Sequence, residues 1–267
     1  MDGTKQQWAI EVRDLVAGYE RRTILNHVSF TVPYGQIVTI LGGSGCGKST
    51  LLKHIIGLYQ PKSGDILIEG RSIVNAAEEE RRSIMHSFGV AYQGGALFRS
   101  MTLAENIALP LEEYTDLSKT EIQAKVEEKL ALVNLQGRGS MMPADLSGGM
   151  IKRAAFARAL ALDPDILFFD EPSAGLDPLS SVSLDRLILN IREKTGATIV
   201  VVTHELDSIF TIADRAIMLS AETRNIIADG PPAELRDRCG NPFVRQFLNR
   251  GVLPAQPSQG ASHERNQ

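Results

Sequence analysis

Cysteine is scarce, with only Cys46 and Cys239 in 267 residues, and the two are far apart. That excludes a disulfide framework and a cysteine-rich zinc site, and it agrees with a reducing cytosol. An excess of charge of one sign is also missing. Lys+Arg total 28 against 32 Asp+Glu, a net charge of -4, so no broad basic surface advertises nucleic acid. No apolar run is long enough to span a bilayer, and the polar start Met1-Asp2-Gly3-Thr4-Lys5-Gln6-Gln7 lacks the apolar core of a signal peptide. Any membrane role is therefore expected to come through partners. The length suits one large α/β domain or two small ones.

Glycine, by contrast, is concentrated where it matters. Gly42-Gly43-Ser44-Gly45-Cys46-Gly47-Lys48-Ser49-Thr50 fits the phosphate-loop pattern of Gly, four residues, Gly-Lys-Ser/Thr without a mismatch. The run Ile37-Val38-Thr39-Ile40-Leu41 before it reads as a buried parallel strand, and Leu51-Leu52-Lys53-His54-Ile55-Ile56 after it reads as a helix. Backbone N–H groups can curl around phosphate oxygens there with no Cβ in the way, and the helix turns its positive end toward the same anion. Lys48 supplies an ammonium for the β- and γ-phosphates, Ser49 a hydroxyl for Mg²⁺, and Thr50 reaches the α-phosphate. Cys46 reads either as a tolerated small residue or as a thiolate stabilised beside the helix N-terminus, which alkylation would block.

Other candidates are spread along the chain. Ala9 to Leu15 alternates apolar and polar like a half-buried strand, and Tyr19 follows it. Tyr19 reads either as a stacking face for a base or as core, and Trp8 competes for the stacking role. Asp65 to Glu69 and Phe88 to Tyr92 read as further strands. The second delivers Gln93 into Gly94-Gly95, a flexible joint, where glutamine either contacts Mg²⁺ or the attacking water, or is an ordinary turn residue. Ser118-Lys119-Thr120-Glu121 is a capping box opening a helix whose Ile122, Val126, Leu130 and Val133 make one apolar stripe. Ser147-Gly148-Gly149 opens another helix, as a second anion site or as a plain N-cap. Ile166 to Phe169 is an apolar strand ending in Asp170, placed to hold Mg²⁺, and Glu171, placed to accept a proton from water. Thr198 to Thr203 is a third such strand, ending at His204, which reads as a γ-phosphate donor or as a structural histidine.

Taken in order, Tyr19, the loop Gly42 to Thr50, Gln93, Leu146-Ser147-Gly148-Gly149-Met150, Asp170-Glu171, Ser173-Ala174-Gly175-Leu176-Asp177 and His204 resemble the ATP-binding cassette ATPases over nearly the whole chain. The resemblance implies an α/β, P-loop NTPase fold with a mainly parallel sheet core, an antiparallel β flank and an α-helical subdomain at about 94–160. It implies one ATPase domain over 1–250, with a C-terminal extension at about 231–250 and a disordered tail from 251 to 267. ATP and Mg²⁺ are the implied cofactors, with Ser49, Gln93 and Asp170 toward the metal. Glu171, His204, Lys48 and Gln93 are the implied catalytic residues. A head-to-tail homodimer is implied, in which Ser147, Gly148 and Gly149 meet the partner's ATP and Asp177 couples the two sites. Met150 stands where the family's signature has glutamine, removing one polar contact and leaving the Ser-Gly-Gly donors.

Tyr92 to Phe98, Met101 to Leu111 and the Leu-Ser-Gly-Gly-Met signature further resemble the ATPase subunits of MCE-associated, Mla-type lipid transporters. That implies an inner-membrane permease, often a small STAS-domain protein, a periplasmic MCE protein, and residence on the cytoplasmic face of the inner membrane. Ala96, Leu97 and Phe98 would receive the permease, or Leu97 and Phe98 would be core. Asn241-Pro242-Phe243 opens a helix that grips the opposite protomer or docks on its own domain. Competing readings are a transporter for another substrate, such as an amino acid, and a soluble clamp of DNA repair or translation. The interval from phosphate loop to signature lacks the sustained heptads of the repair clamps, and a single cassette argues against the translation type.

Overall fold

A computed structural model describes residues 8–20 and 22–250. The polar start and the tail expected from 251 to 267 lie outside the described residues. The chain runs β1 (Trp8–Tyr19), β2 (Arg22–Pro33), β3 (Ile37–Gly42), α1 (Lys48–Ile55), β4 (Ser63–Ile68), β5 (Arg71–Ser72), α2 (Glu78–His86), β6 (Phe88–Ala91), α3 (Leu103–Tyr114) and α4 (Lys119–Leu132). After a 3-10 turn at Pro143–Asp145 come α5 (Gly148–Ala159), β7 (Ile166–Asp170), α6 (Pro178–Thr195), β8 (Thr198–Val202), α7 (Leu206–Ile212), β9 (Arg215–Leu219), β10 (Ile226–Gly230), α8 (Pro232–Arg238) and α9 (Pro242–Leu248).

A six-stranded sheet in the order β10-β9-β3-β8-β7-β6 is parallel except for β10, and β2-β1-β4-β5 form an antiparallel sheet of four. Strands β3, β7 and β8 are apolar without alternation because both of their faces are covered. The period of two decides which core each residue joins. Val38, Ile40, Ile166, Phe168, Val200 and Val202 face α1 and the antiparallel sheet. Leu167, Phe169, Ile199 and Val201 face α5, α6 and the helical layer. Alanines 154, 155, 157 and 159 let α5 come close, and Phe156 stacks on Phe169 with ring centroids 4.0 Å apart.

The helical layer contains two capping boxes, Thr102 with Glu105 and Ser118 with Glu121. Ile122, Val126, Leu130 and Val133 are all buried, so the stripe on α4 is core. Buried Asn106 ties down the segment before α3: its Nδ2 donates to the carbonyls of Phe98, Met101 and Thr102, and its Oδ1 accepts from Phe98 N. At the other end, Asn241 caps α9 by accepting from Phe243 N at 3.0 Å. Val244 and Leu248 of α9 are buried with Leu41, Ile209 and Met218, so this helix docks on its own domain, with Phe243 left exposed.

Candidate active site

Because β3, β8, β7 and β6 are parallel neighbours, their C-terminal ends share one edge. Ile40 pairs with Val202, Val202 with Asp170, and Phe169 with Ala91. The chain segments that leave this edge carry the phosphate loop, His204, Asp170-Glu171 and Gln93, so four groups scattered in sequence converge where such sheets bind ligands.

The loop's shape follows from close packing. Gly42 has φ 145°, and a Cβ there would lie 2.4 Å from the carbonyl oxygen of Leu219 and 2.6 Å from Cys46 Sγ. Gly47, at φ 105°, leads into α1, whose first turn carries no acidic residue, leaving its positive end for an anion. Lys48 Nζ donates to the Gly42 carbonyl at 2.9 Å. A cavity of about 390 Å³ lies over residues Gly45 to Thr50, within the range of small-molecule sites. Its opposite wall consists of Arg22, Thr23 and Ile24 at the start of β2, with Ala221 and Arg224 from the β9–β10 turn. Sequence reasoning misses that wall, since only the tertiary fold brings it to the loop.

Tyr19 lies at the cavity's edge. Its hydroxyl is 3.5 Å from Thr50 Oγ1, and its ring meets Tyr59 edge-on at 5.3 Å. Trp8 begins the same strand, roughly 36 Å of extended chain away. Of the two aromatics, Tyr19 is the one beside the loop.

Glu171 sits just past β7 with φ 45°, a left-handed conformation that costs a non-glycine residue roughly 1–3 kcal/mol. Its N–H donates to the Val202 carbonyl at 2.8 Å. Both of its carboxylate oxygens lie 2.9 Å from His204 Nδ1. Beside it, Asp170 Oδ1 is buried without a hydrogen-bond partner. Burial, and then the neighbouring Glu171 charge, pushes the Asp170 carboxyl above its ordinary range. An orphaned carboxylate oxygen, with the Ser49 hydroxyl exposed on the first turn of α1, fits a hard divalent cation.

Two expectations need correction. Gly95 is not a loose joint, although a Cβ on Gly94 would meet nothing within 4 Å. Arg158 of α5 donates to the carbonyls of Gly95 and Ala96 at 3.2 and 2.7 Å, and a Cβ on Gly95 would meet Ile151 Cγ2 at 2.7 Å. Nor is Cys46 an activated thiolate. It is 1% exposed, and burial pushes its thiol above the usual range despite Lys48 nearby. Cys239 is more exposed. Iodoacetamide at pH 7.5 is expected to label Cys239 at least about tenfold faster than Cys46, read by peptide mass spectrometry. Equal rates would mean that the loop opens freely.

The segment after Gln93 divides its side chains. Leu97 packs into the helical core, whereas Phe98 is 50% exposed under the Arg158 guanidinium. Ser147 accepts from Met150 N at 3.3 Å and so caps α5. Asp177 caps α6, accepting from the N–H groups of Leu179 and Ser180. The Ser147 to Gly149 segment and Asp177 are close to each other through Gly148 and Leu176, but neither lines the phosphate-loop cavity of its own chain.

Residues 25–174 match the family model described as ABC transporter. The chain belongs to the ABC transporter family. It is an ABC ATPase cassette by fold as well. Similar solved structures include the ATP-binding cassette MJ0796 as a dimer in a post-hydrolysis state bound to ADP and Pi, with TM-score 0.75 and 29% identity, covering 83% of this chain and 98% of that one. Another is cbiO1 from Clostridium perfringens, part of the ABC transporter complex cbiONQ, with TM-score 0.80 and 27% identity, covering 91% and 97%. The intermembrane phospholipid transport system ATP-binding protein MlaF of Escherichia coli is 39% identical over 95% of this chain and 94% of its own. The probable ribonucleotide transport ATP-binding protein mkl of Mycobacterium bovis is 43% identical over 90% of this chain, which spans 66% of mkl. The family match includes the loop, Gln93, the signature and Asp170-Glu171, while Tyr19, Asp177 and His204 fall outside it.

Proposed function

We propose that this ABC ATPase hydrolyses ATP as a homodimer and so drives a membrane permease that moves phospholipid between membranes in an Mla-type system. The observation that carries the hydrolytic part is the shared sheet edge where Glu171, pinned by His204, stands beside Asp170 and the phosphate loop. The lipid part is supported by likeness to MlaF over nearly its whole length. The name of mkl supports ribonucleotide as a second substrate class.

In this reading Tyr19 stacks on the base, the Gly42 to Gly47 backbone and Lys48 hold the phosphates, and Thr50 reaches the α-phosphate. Ser49, Gln93 and Asp170 would hold Mg²⁺, which when bound would neutralise phosphate charge. Glu171 accepts the proton of the attacking water, and His204 keeps that carboxylate in place and donates toward the γ-phosphate. Ser147, Gly148 and Gly149 of one protomer complete the other protomer's site, next to Asp177. Exposed Phe98, under the half-buried Arg158 guanidinium, borders a groove with Leu109, Pro110 and Tyr114, an apolar seat for the permease. Among the described residues no helix is long and apolar enough to cross a membrane, so attachment to the inner membrane comes through the permease, with a STAS-domain and an MCE protein as further partners.

The test is purification of tagged protein from detergent-solubilised native membranes, with proteins and small molecules identified by mass spectrometry. A permease with an MCE protein and phospholipid is the expected recovery. A permease with nucleotide and no lipid would replace the substrate, and no membrane partner at all would revive a soluble clamp. Phe98→Glu is expected to lower permease recovery roughly 30-fold or more, as loss of an interface hot spot does, while ATP affinity stays within about twofold. Parallel loss of ATP affinity would make Phe98 part of the fold instead.

A further inference from the structure

Lys152 lies on α5 about one and a half turns past Ser147 and is only 7% exposed, on a helix otherwise buried through alanines and Phe156. Among the described residues its ammonium forms no ion pair with a carboxylate. Instead Nζ donates to the backbone carbonyl of Gln93 and, at 3.2 Å, to that of Glu171. Burying a lysine is costly unless its donors are used. Here they connect two chain segments that otherwise leave the sheet separately. Burial pulls its pKa below the ordinary lysine value, with the Asp170 and Glu171 charges opposing that shift.

The carbonyl it holds on Glu171 belongs to the residue with φ 45°. That backbone is held on both sides: its N–H donates to Val202, and its C=O accepts from Lys152 and, across the turn, from Ala174 N at 3.2 Å, so the Lys152 bond is the only one of these that reaches it from the signature helix. The direction of the Glu171 carboxylate, and so its contact with His204, follows from the backbone beneath it. On the Gln93 side, Arg158 of the same helix donates to the carbonyls of Gly95 and Ala96, so the segment from Gln93 is tied to α5 at three carbonyls.

We propose that Lys152 is a positioning residue for hydrolysis, bridging the Gln93 and Glu171 backbones so that the Glu171 carboxylate is set against the reacting phosphate and both segments are tied to the signature helix. An ammonium suits the task because its donors can serve two diverging carbonyls from one point. Methionine matches the stem but has no donor, whereas arginine keeps donors at similar reach.

The proposal rests on Glu171 being the group that accepts the proton from water. The experiment compares the full chain with its K152M, K152R and E171Q variants, measuring kcat for ATP and, separately, affinity for a fluorescent ATP analogue. K152M is expected to lose about 100-fold in kcat, as a displaced catalytic group does, with affinity changed less than about threefold. K152R is expected to recover at least about a tenth of wild-type kcat, because its guanidinium restores the bridge. The proposal is overturned if K152M keeps kcat near wild type, if its affinity falls in step with kcat, or if K152R is as inactive as K152M. Should K152M fail to fold by circular dichroism, K152Q, whose amide nitrogen is one bond shorter in reach and carries two donors in place of three, replaces it: about tenfold loss of kcat is expected, and wild-type kcat overturns the bridge. E171Q retaining wild-type turnover would remove the premise, whereas an inactive E171Q beside an active K152M removes only the role of Lys152.

Discussion

Glu171→Gln is expected to lower ATP turnover roughly 10²–10⁴-fold, the usual contribution of a positioned general base, while leaving ATP affinity within about threefold of wild type. The amide matches the carboxylate in size and leaves the left-handed backbone, the Val202 bond and the Lys152 bond undisturbed. What it removes is the ability to take a proton from water. Its oxygen can still accept a hydrogen bond from His204, now 2.9 Å from both carboxylate oxygens, so the histidine has no reason to move. Phosphate release under saturating ATP and direct binding of a fluorescent analogue separate the two effects. Turnover within about tenfold of wild type would take the proton-accepting role away from Glu171 and point to phosphate-assisted attack.

What the sequence made legible follows from the range over which each signal acts. Strands β3, β7 and β8 can be read from runs of apolar, β-branched residues because both faces are covered, and α4 from a capping box and a stripe that the core absorbs. Strand β2 is harder. Its inward residues Leu25, Val28, Phe30 and Val32 lose their period at His27, where φ is 56° and the register against β1 shifts. Strand β9 is a plain apolar run that carries no motif to draw attention to it. The phosphate loop, Asp170, Glu171 and His204 are legible because each lies at a strand end, and a parallel sheet brings strand ends together. Arg22, Arg224, Lys152 and Arg158 are not, since their positions depend on which turn or helix face approaches the edge. Cys46 shows the limit of a local argument. The adjoining helix N-terminus favours a thiolate, but the packing of Gly42 against Leu219 buries the sulfur, and desolvation wins.

Two variants that are inactive alone are expected to restore each other when paired. Lys48→Ala removes the ammonium that serves the phosphates of its own loop. Gly149→Asp places a carboxylate in the first turn of α5, where a Cβ meets nothing within 4 Å and an acid favours the helix, so the fold is kept. That carboxylate repels any phosphate brought to the turn. The cavity over the loop is lined by the loop itself, β2 and the β9–β10 turn and by none of α5, so in the proposed head-to-tail dimer the phosphate at this turn comes with the other protomer. In a head-to-tail dimer the Lys48→Ala loop then faces the Gly149→Asp turn, concentrating both defects in one site and leaving the other site with a native loop and a native turn. Each homodimer should hydrolyse ATP at no more than about 1% of the wild-type rate, while heterodimers isolated through two different tags should reach about half of it if the sites act independently. Heterodimers as inactive as their parents would mean that Ser147 to Gly149 serve the loop of their own chain, or that neither site turns over without its twin. Binding of ATP to the Gly149→Asp protomer, measured in the isolated heterodimer, separates these: one tight site with no turnover requires the twin, and no tight site returns the signature to its own chain.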